Sequence, residues 1–333
     1  APGVHLFMTA PYAELGLDGN SIAVITGEGV LVFDSNGTPA AAEAVLAGIR
    51  KLTDKPVRYV VNSHWHWDHW YGTEVYRKAF PDVTVVAHEA TRRLMAGPAI
   101  EFNRPGIESE LPGYLDSLEK RVNEGKGQTP PPANLDAMQR SLTTGRFFLE
   151  QKKNAHLVLP NLTFEKSLTL HLGEREIRIL NFGRAVTPGD AVMYLPKEGI
   201  VATGDLVVNP LPFALGVYPS GWIQALDDIA ALRASTLIPG HGAPLRDNAR
   251  LDATREVFRE ILRQGRHARA RGLDADQAKA AILPSLAALR TRLTADDARQ
   301  NQLFAVYVVD WFLHRVYDEL AGPLSDAITP PPH

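Results

Sequence analysis

Six consecutive residues, His64-Trp65-His66-Trp67-Asp68-His69, carry three imidazoles and a carboxylate directly after the apolar run Val57–Asn62. That run reads as a buried strand, so the chain delivers four ligand-type side chains to the end of a sheet. A core cannot absorb this set, because buried imidazoles and carboxylates without partners are costly. It suits a divalent cation of hard or borderline character, zinc first and manganese or iron as alternatives. Extended alternation beyond Val57–Asn62 aims His64, His66 and Asp68 to one side, with His69 coming round from a turn. On the same pattern Trp65 and Trp67 face away and pack beneath the loop. The chain has no Cys, which removes thiolate metal sites, disulfides, iron–sulfur clusters and Cys nucleophiles together, so every further ligand must be His, Asp or Glu.

Short apolar runs separated by turn residues recur before and after the hexapeptide. Val4–Thr9, Ser21–Thr26, Val30–Asp34, Val57–Asn62 and Val83–Ala87 form one series of predicted strands. Leu168–Leu172, Glu176–Leu180, Ala191–Leu195, Ile200–Ala202 and Thr236–Ile238 form a second, which echoes the first. Thr38-Pro39 ahead of Ala40–Leu52 supplies an N-cap and a first-turn Pro for a helix packed back on the sheet. A further helix is predicted near Ile223–Arg233. Between about 97 and 160 the character changes to charged helical stretches near Ile107–Asn123 and Asn134–Lys152, joined by the linker Gly125–Pro132, which reads as an insertion. From about 246 to 322 the pattern is helical, ending in the apolar-aromatic helix Leu303–Leu320, mostly core by its spacing with part available as a dimer face. Pro330–Pro332 forms a loose tail. Two sheets flanked by helices use these elements well.

A 45% hydrophobic content and a net charge of −3 describe a globular chain with no basic field, which argues against a nucleic-acid partner and for a small-molecule substrate. No apolar run approaches the roughly 20 residues of a membrane span. The opening Ala1-Pro2-Gly3 lacks an initiator Met, as a removed secretory peptide would leave, so a periplasmic or secreted location is expected, with the cytoplasm as the alternative.

Three more motifs join the hexapeptide: Thr187-Pro188-Gly189-Asp190, Thr203-Gly204-Asp205 after the strand Ile200–Ala202, and Pro239-Gly240-His241-Gly242 after Leu237-Ile238. In order and spacing, over about residues 4–245, these resemble the metallo-β-lactamase superfamily. The resemblance implies an α/β (α+β) fold, a four-layer αββα sandwich here carrying the helical insertion and extra C-terminal helices, as a single domain over residues 1–333. It implies His64 and His66 as ligands of a first metal, Asp68, His69 and His241 as ligands of a second, and Asp205 as the bridge. It further implies a metal-dependent hydrolase in which the bound cation activates water against a small ester, thioester, lactone or lactam, with Asp68 and Asp205 as the catalytic carboxylates. An Asp at position 205 looks like the glyoxalase II, lactonase and phosphodiesterase branches more than a dedicated β-lactamase, although a β-lactamase-active member is one alternative.

One position departs from the pattern. Where the superfamily places the third His of the first site, this chain has Val186, whose isopropyl group offers no lone pair. The expectation is one tightly bound zinc per chain with the second weak or absent. Gly183-Arg184-Ala185-Val186 is similar to a Gly-Arg-Gly-Asn variant found in some members. His156 of the insertion is the one His there that could replace the missing ligand. The remaining readings are an engineered change or a catalytically impaired, metal-binding protein. Around the site, Arg184 is a candidate for a substrate carboxylate or a partner for a nearby acid, Tyr71 and Tyr194 are candidates for an oxyanion, and His88 and Trp222 complete the pocket set. His88 reads equally as the start of a helix. The insertion and the segment Asn209–Trp222 are expected to roof the pocket, and a homodimer is a possible assembly.

Overall fold

The structure, a computed structural model, describes residues 1–8 and 18–328. The end of the run Val4–Thr9, the Pro330–Pro332 tail and His333 lie outside the described residues. In the first half β1 (Val4–Phe7), β2 (Ser21–Ile25), β3 (Val30–Phe33), α1 (Pro39–Leu52), β4 (Val57–Val61), α2 (Thr73–Ala79), β5 (Thr84–His88) and α3 (Glu89–Met95) follow in order. The insertion contributes α4 (Pro98–Pro105), α5 (Leu111–Lys126) and α6 (Leu135–Asn154), and the short strand β6 (Leu162–Phe164) returns the chain to the sheet. The second half runs β7 (Ser167–Leu172), β8 (Arg175–Leu180), β9 (Val192–Leu195), β10 (Ile200–Ala202), α7 (Pro219–Ala231) and β11 (Thr236–Ile238). Five helices close the described chain: α8 (Ala249–Ala270), α9 (Ala275–Ile282), α10 (Ala287–Thr294), α11 (Ala298–Leu303) and α12 (Trp311–Ala321).

The strands form a six-stranded sheet ordered β1-β2-β3-β4-β5-β6 and a five-stranded sheet ordered β11-β10-β9-β8-β7. Pairing is antiparallel from β1 to β3 and parallel from β3 to β6. In the second sheet only β10 and β11 run parallel. Alternation sorts the side chains. Ile22, Val24, Leu31, Phe33, Val61 and Val86 face Ile177, Ile179, Met193, Leu195, Ile200 and Ala202 across the gap between the sheets. Their strand neighbours Ala23, Val30, Val32, Val60 and Val85 point the other way, against Val45, Leu46 and Ile49 of α1 and Tyr76 of α2. On the opposite exterior Val192, Val201 and Leu237 pack under α7, α8 and α12. The period-2 pattern thus yields an αββα sandwich, in which strands covered on both faces must be apolar on both.

Local signals account for the helix that flanks the site. Thr38 caps α1 by accepting from the Ala41 amide, and Pro39 occupies the first turn. The apolar-aromatic helix predicted over Leu303–Leu320 is present but not uniform. Its first part, Phe304–Asp310, winds as a π-type stretch before α12 begins at Trp311, a local departure of the kind that re-aims side chains. Leu303 and Tyr307 consequently face a cavity and not only the core.

Candidate metal centre

Beyond β4 the chain leaves the extended conformation. Trp67–His69 forms a single 3₁₀ turn, so Asp68 is not on a continued strand as alternation predicts. The turn presents Asp68 and His69 side by side, and strand alternation no longer governs Trp65 and Trp67. Both line the cavity above the hexapeptide instead of facing away, and Trp65 stands edge-on to His66 with centroids 4.5 Å apart. Trp65 also packs with Trp70 and Tyr71 in the cluster beneath the loop.

The two distant turns arrive where the motifs require. Gly204–Leu206 is a 3₁₀ turn at the end of β10, and His241 follows β11. A web of short contacts fixes them: the Asn20 side-chain amide donates to the carbonyls of Pro239 (2.9 Å) and Gly242 (2.8 Å), and the Gly240 amide donates to the Gly204 carbonyl at 2.8 Å. A Cβ on Gly240 would lie 2.1 Å from Asp205 Oδ1, so only glycine allows this approach. Thr187 donates to Asp190 through its amide (2.9 Å) and hydroxyl (2.8 Å), and the Ala191 amide donates to the Ser63 carbonyl at 2.7 Å, tying that turn to the hexapeptide. Burial pushes the Asp190 carboxyl up to about 7.

Asp205 straddles the imidazoles. Its Oδ2 lies 3.7 Å from His64 Nε2 and 4.0 Å from His66 Nδ1, while Oδ1 lies 3.3 Å from His69 Nε2 and 3.4 Å from His241 Nε2. Asp68 Oδ2 is 3.1 Å from His241 Nε2 and 3.5 Å from His69 Nε2. Ligand atoms of His64, His69 and Asp205, and separately of Asp68, His69 and His241, all lie within 4.8 Å of one another. His64 Nε2, His69 Nε2 and Asp205 Oδ1 are buried polar atoms without a hydrogen-bond partner. Unpaired donors and acceptors converging on one point are what a cation's ligands look like, so the residues fit a divalent metal.

Asp34, at the end of β3, was not foreseen from sequence. Its carboxylate accepts from the Ser63 amide (2.7 Å) and hydroxyl (2.8 Å) and lies 2.8 Å from His69 Nδ1. Holding a proton on Nδ1 leaves the Nε2 lone pair turned toward Asp68 and Asp205. The signal in the sequence was a lone Asp closing an apolar strand, and no spacing rule tied it to position 69. Ser63 Oγ plays the same part for His64 Nδ1 at 2.9 Å. Burial works against a charged His241, but Asp205 and Asp68 outweigh it and push its pKa up to about 10. Burial likewise opposes a charged His69, and Asp205, Asp68 and Asp34 together hold its pKa well above the usual range. Another unforeseen group is Lys152 of α6, whose buried amine lies 3.7 Å from the Trp67 ring centroid and 3.6 Å from that of Tyr71, and burial pushes its pKa well below the usual lysine range.

Several predicted pocket residues lie elsewhere. Trp222 is fully buried in α7, donating to the Leu206 carbonyl at 3.0 Å and packing on Phe258, because its helix face points into the core. Tyr194 lies on β9 beneath that core, its hydroxyl 3.5 Å from the Leu232 carbonyl. His88 is the N-cap of α3 and accepts from the Ala90 amide at 3.1 Å, which is the helix-start role. Tyr71 is buried, and burial pushes its phenol up to about 12. His156 is 81% exposed and turned to Asn154 and Glu74, so it does not replace the absent ligand. Arg184 pairs with Asp326 at 3.1 Å. Val186 does line the cavity, 3% exposed, alongside His66, Asp68, Asp205 and His241.

The cavity measures about 660 Å³, and its lining is mainly apolar: Trp65, Phe102, Leu211, Phe213, Leu303 and Ile328 among others. Phe102 comes from the insertion and Leu211 and Phe213 from the segment after Asp205, as expected for roofing elements. The contribution of α11 and of the segment after α12 was not anticipated.

A two-sheet sandwich with a His/Asp cluster where loops from both halves meet defines a class of metal-dependent hydrolases. Residues 15–241 match the family model of the Metallo-beta-lactamase superfamily, and the chain belongs to that superfamily as one of its hydrolases. It is 23% identical over 258 residues to a linear primary-alkylsulfatase of Pseudomonas sp. (strain ATCC 19151), an alignment covering 72% of this chain and 43% of that protein. The chain therefore spans less than half the length of this curated relative. Among solved structures, a metallo-beta-lactamase from Pontibacter korlensis superposes with a TM-score of 0.53 at 20% identity, over 78% of this chain and 96% of its own. The sec-alkylsulfatase Pisa1 from Pseudomonas sp. superposes with a TM-score of 0.60 at 20% identity, over 99% of this chain and 52% of its own. Among the described residues no helix is long and apolar enough to cross a membrane.

Proposed function

We propose that the protein hydrolyses a small ester, thioester, lactone or lactam whose non-reacting part is apolar, using one tightly held divalent metal, zinc in the simplest case. The observation that carries this reading is the carboxylate-imidazole cluster opening onto a mostly apolar cavity of about 660 Å³. Asp68, His69, His241 and Asp205 would hold the metal, with His64 and His66 the incomplete remainder opposite Val186. When bound, the cation supplies Lewis-acid polarisation and makes water available as a nucleophile near neutral pH. Asp68 lines the cavity and is placed to take the proton of the attacking water and return it to the leaving group. Asp205 keeps the imidazoles in register, Asp34 holds the His69 tautomer, and Trp65, Trp67 and Phe102 exclude bulk water from the reacting centre.

A second reading, an alkyl sulfate ester as substrate, is favoured by the apolar lining together with the likeness to two alkylsulfatases. One experiment separates these: metal analysis of the purified chain, followed by turnover of p-nitrophenyl esters, a lactone, a cephalosporin and an alkyl sulfate by wild type and Asp68→Asn. Hydrolysis of one class that the variant loses supports the assignment. A metal-loaded chain that turns over none of them returns the protein to the role of a metal-binding, non-catalytic relative.

A further inference from the structure

After α12 the chain does not leave the body of the protein. Ala321 ends the helix and Pro323 prevents its continuation, and the chain then reaches the cavity, which Asp326, Ala327 and Ile328 line. Arg184 donates to the Leu324 carbonyl at 2.9 Å and to Asp326 Oδ1 at 3.1 Å. Arg93 donates to Asp326 Oδ2 at 2.8 Å. Tyr218 donates to the Ser325 carbonyl at 3.0 Å and to Asp326 Oδ1 at 3.2 Å, and the Arg184 guanidinium lies 4.8 Å from the Tyr218 ring centroid. Beyond this junction Asp326, Ala327 and Ile328 line the cavity, and Ile328, like Phe102, packs against the cluster that holds Trp65, Leu94 and Met95.

We propose that Asp326–Ile328, at the end of the strap Gly322–Ile328, is a specificity-determining wall of the cavity, latched through Asp326, that sets how long an apolar group the site accepts. The inference rests on the reading that this cavity receives the substrate. Three observations support it. Arg93 belongs to α3 and Arg184 and Tyr218 to the second half, so one carboxylate beside the cavity joins both halves of the sandwich. Asp326, Arg184 and Arg93 are all more than a third exposed, and ion pairs at such exposure are individually weak, so the latch can part without unfolding the body. Burial opposes ionisation of Asp326, but its bonds from Arg184, Tyr218 and Arg93 outweigh this and hold its carboxyl below the usual range, so the latch keeps its charge. Arg184 is thereby engaged by the strap and is not open to a substrate carboxylate.

The experiment compares wild type, Asp326→Ala and Ile328→Ala, all zinc-loaded, on p-nitrophenyl acetate and p-nitrophenyl decanoate. The quantity read is the ratio of kcat/KM for the long ester to that for the short one. Both variants are expected to shift this ratio in the same direction, by about tenfold, the lower end of what a single methylene in an apolar pocket is worth. Uptake of the apolar fluorophore 1-anilinonaphthalene-8-sulfonate, followed by stopped flow, is expected to quicken by about tenfold in Asp326→Ala. A ratio and an uptake rate both within about twofold of wild type in both variants overturns the proposal. Should wild type turn over neither ester, the carboxylic-ester reading of the substrate fails by itself, and the fluorophore measurement alone decides for or against the strap.

Discussion

The floor of the cavity and its walls are built by different means. The floor is wired: His69 Nδ1 meets the Asp34 carboxylate, His64 Nδ1 meets the Ser63 hydroxyl, and Asn20 and Gly240 fix the turn that carries His241. The walls come from separated stretches, among them α4, the segment after Asp205, α11 and the strap, and exposed ion pairs tie the strap to Arg93 and Arg184. A fixed floor with exchangeable walls lets one chemistry serve many substrates, since loops on a rigid scaffold vary without disturbing the ligands.

Replacing a floor residue should therefore be far more damaging than replacing a wall residue, and the largest effect is expected at the straddling carboxylate. Asp205→Ala should lower kcat/KM by about three decades, several kcal/mol of lost charge stabilisation, with metal content falling in parallel on elemental analysis. A variant that keeps both metal and turnover would erase the distinction between floor and walls. One layer further out, Asp34→Asn should weaken zinc roughly 10- to 100-fold in a chelator competition, because the His69 tautomer is no longer enforced. Unchanged affinity would show that burial alone orients the ring.

On the wall side, Phe213→Ala should raise KM for the apolar substrate by about tenfold while leaving metal content untouched, the cost of one aromatic contact surface. Metal loss in that variant would mean that walls and floor are coupled. Val186→His probes the border between them. Wild type should hold close to one metal per chain, and the variant should raise occupancy of the second equivalent; two full equivalents in the wild type would contradict the role assigned to Val186.

The last test concerns pH. In chelator, His241 has a folded pKa near 10 against an ordinary 6.5, so its contribution to stability is complete below about 6.5 and disappears as pH rises through 10. The thermal midpoint of the chelated chain should accordingly fall over that interval. Zinc must displace the same proton, so its affinity should rise across the same range. A midpoint flat from pH 6.5 to 10 would show that the carboxylates do not act on His241 as the geometry requires.

Much of the fold and the floor was legible because the information is local. Runs with period 2, a Thr-Pro helix start and four short motifs are patterns within a dozen residues, and burial on both faces of a strand leaves its mark on each residue in turn. Tyr194 and Trp222 were misplaced because an aromatic at a strand or helix position reads the same whether it faces a pocket or the core. Asp68 was assigned to an extended segment because nothing in six residues reveals that the backbone tightens into a 3₁₀ turn.

What the sequence by itself determined is the set of candidate donor residues and the sandwich that carries them, since donor atoms and alternation are properties of individual side chains and near neighbours. Only the tertiary structure decided that Asp34 sets the His69 tautomer, that Lys152 lies against Trp67 and Tyr71, and that Asp326 meets Arg93 and Arg184 over the cavity. Those partners are separated by tens to hundreds of residues, and a contact between them exists only once the intervening chain has been packed.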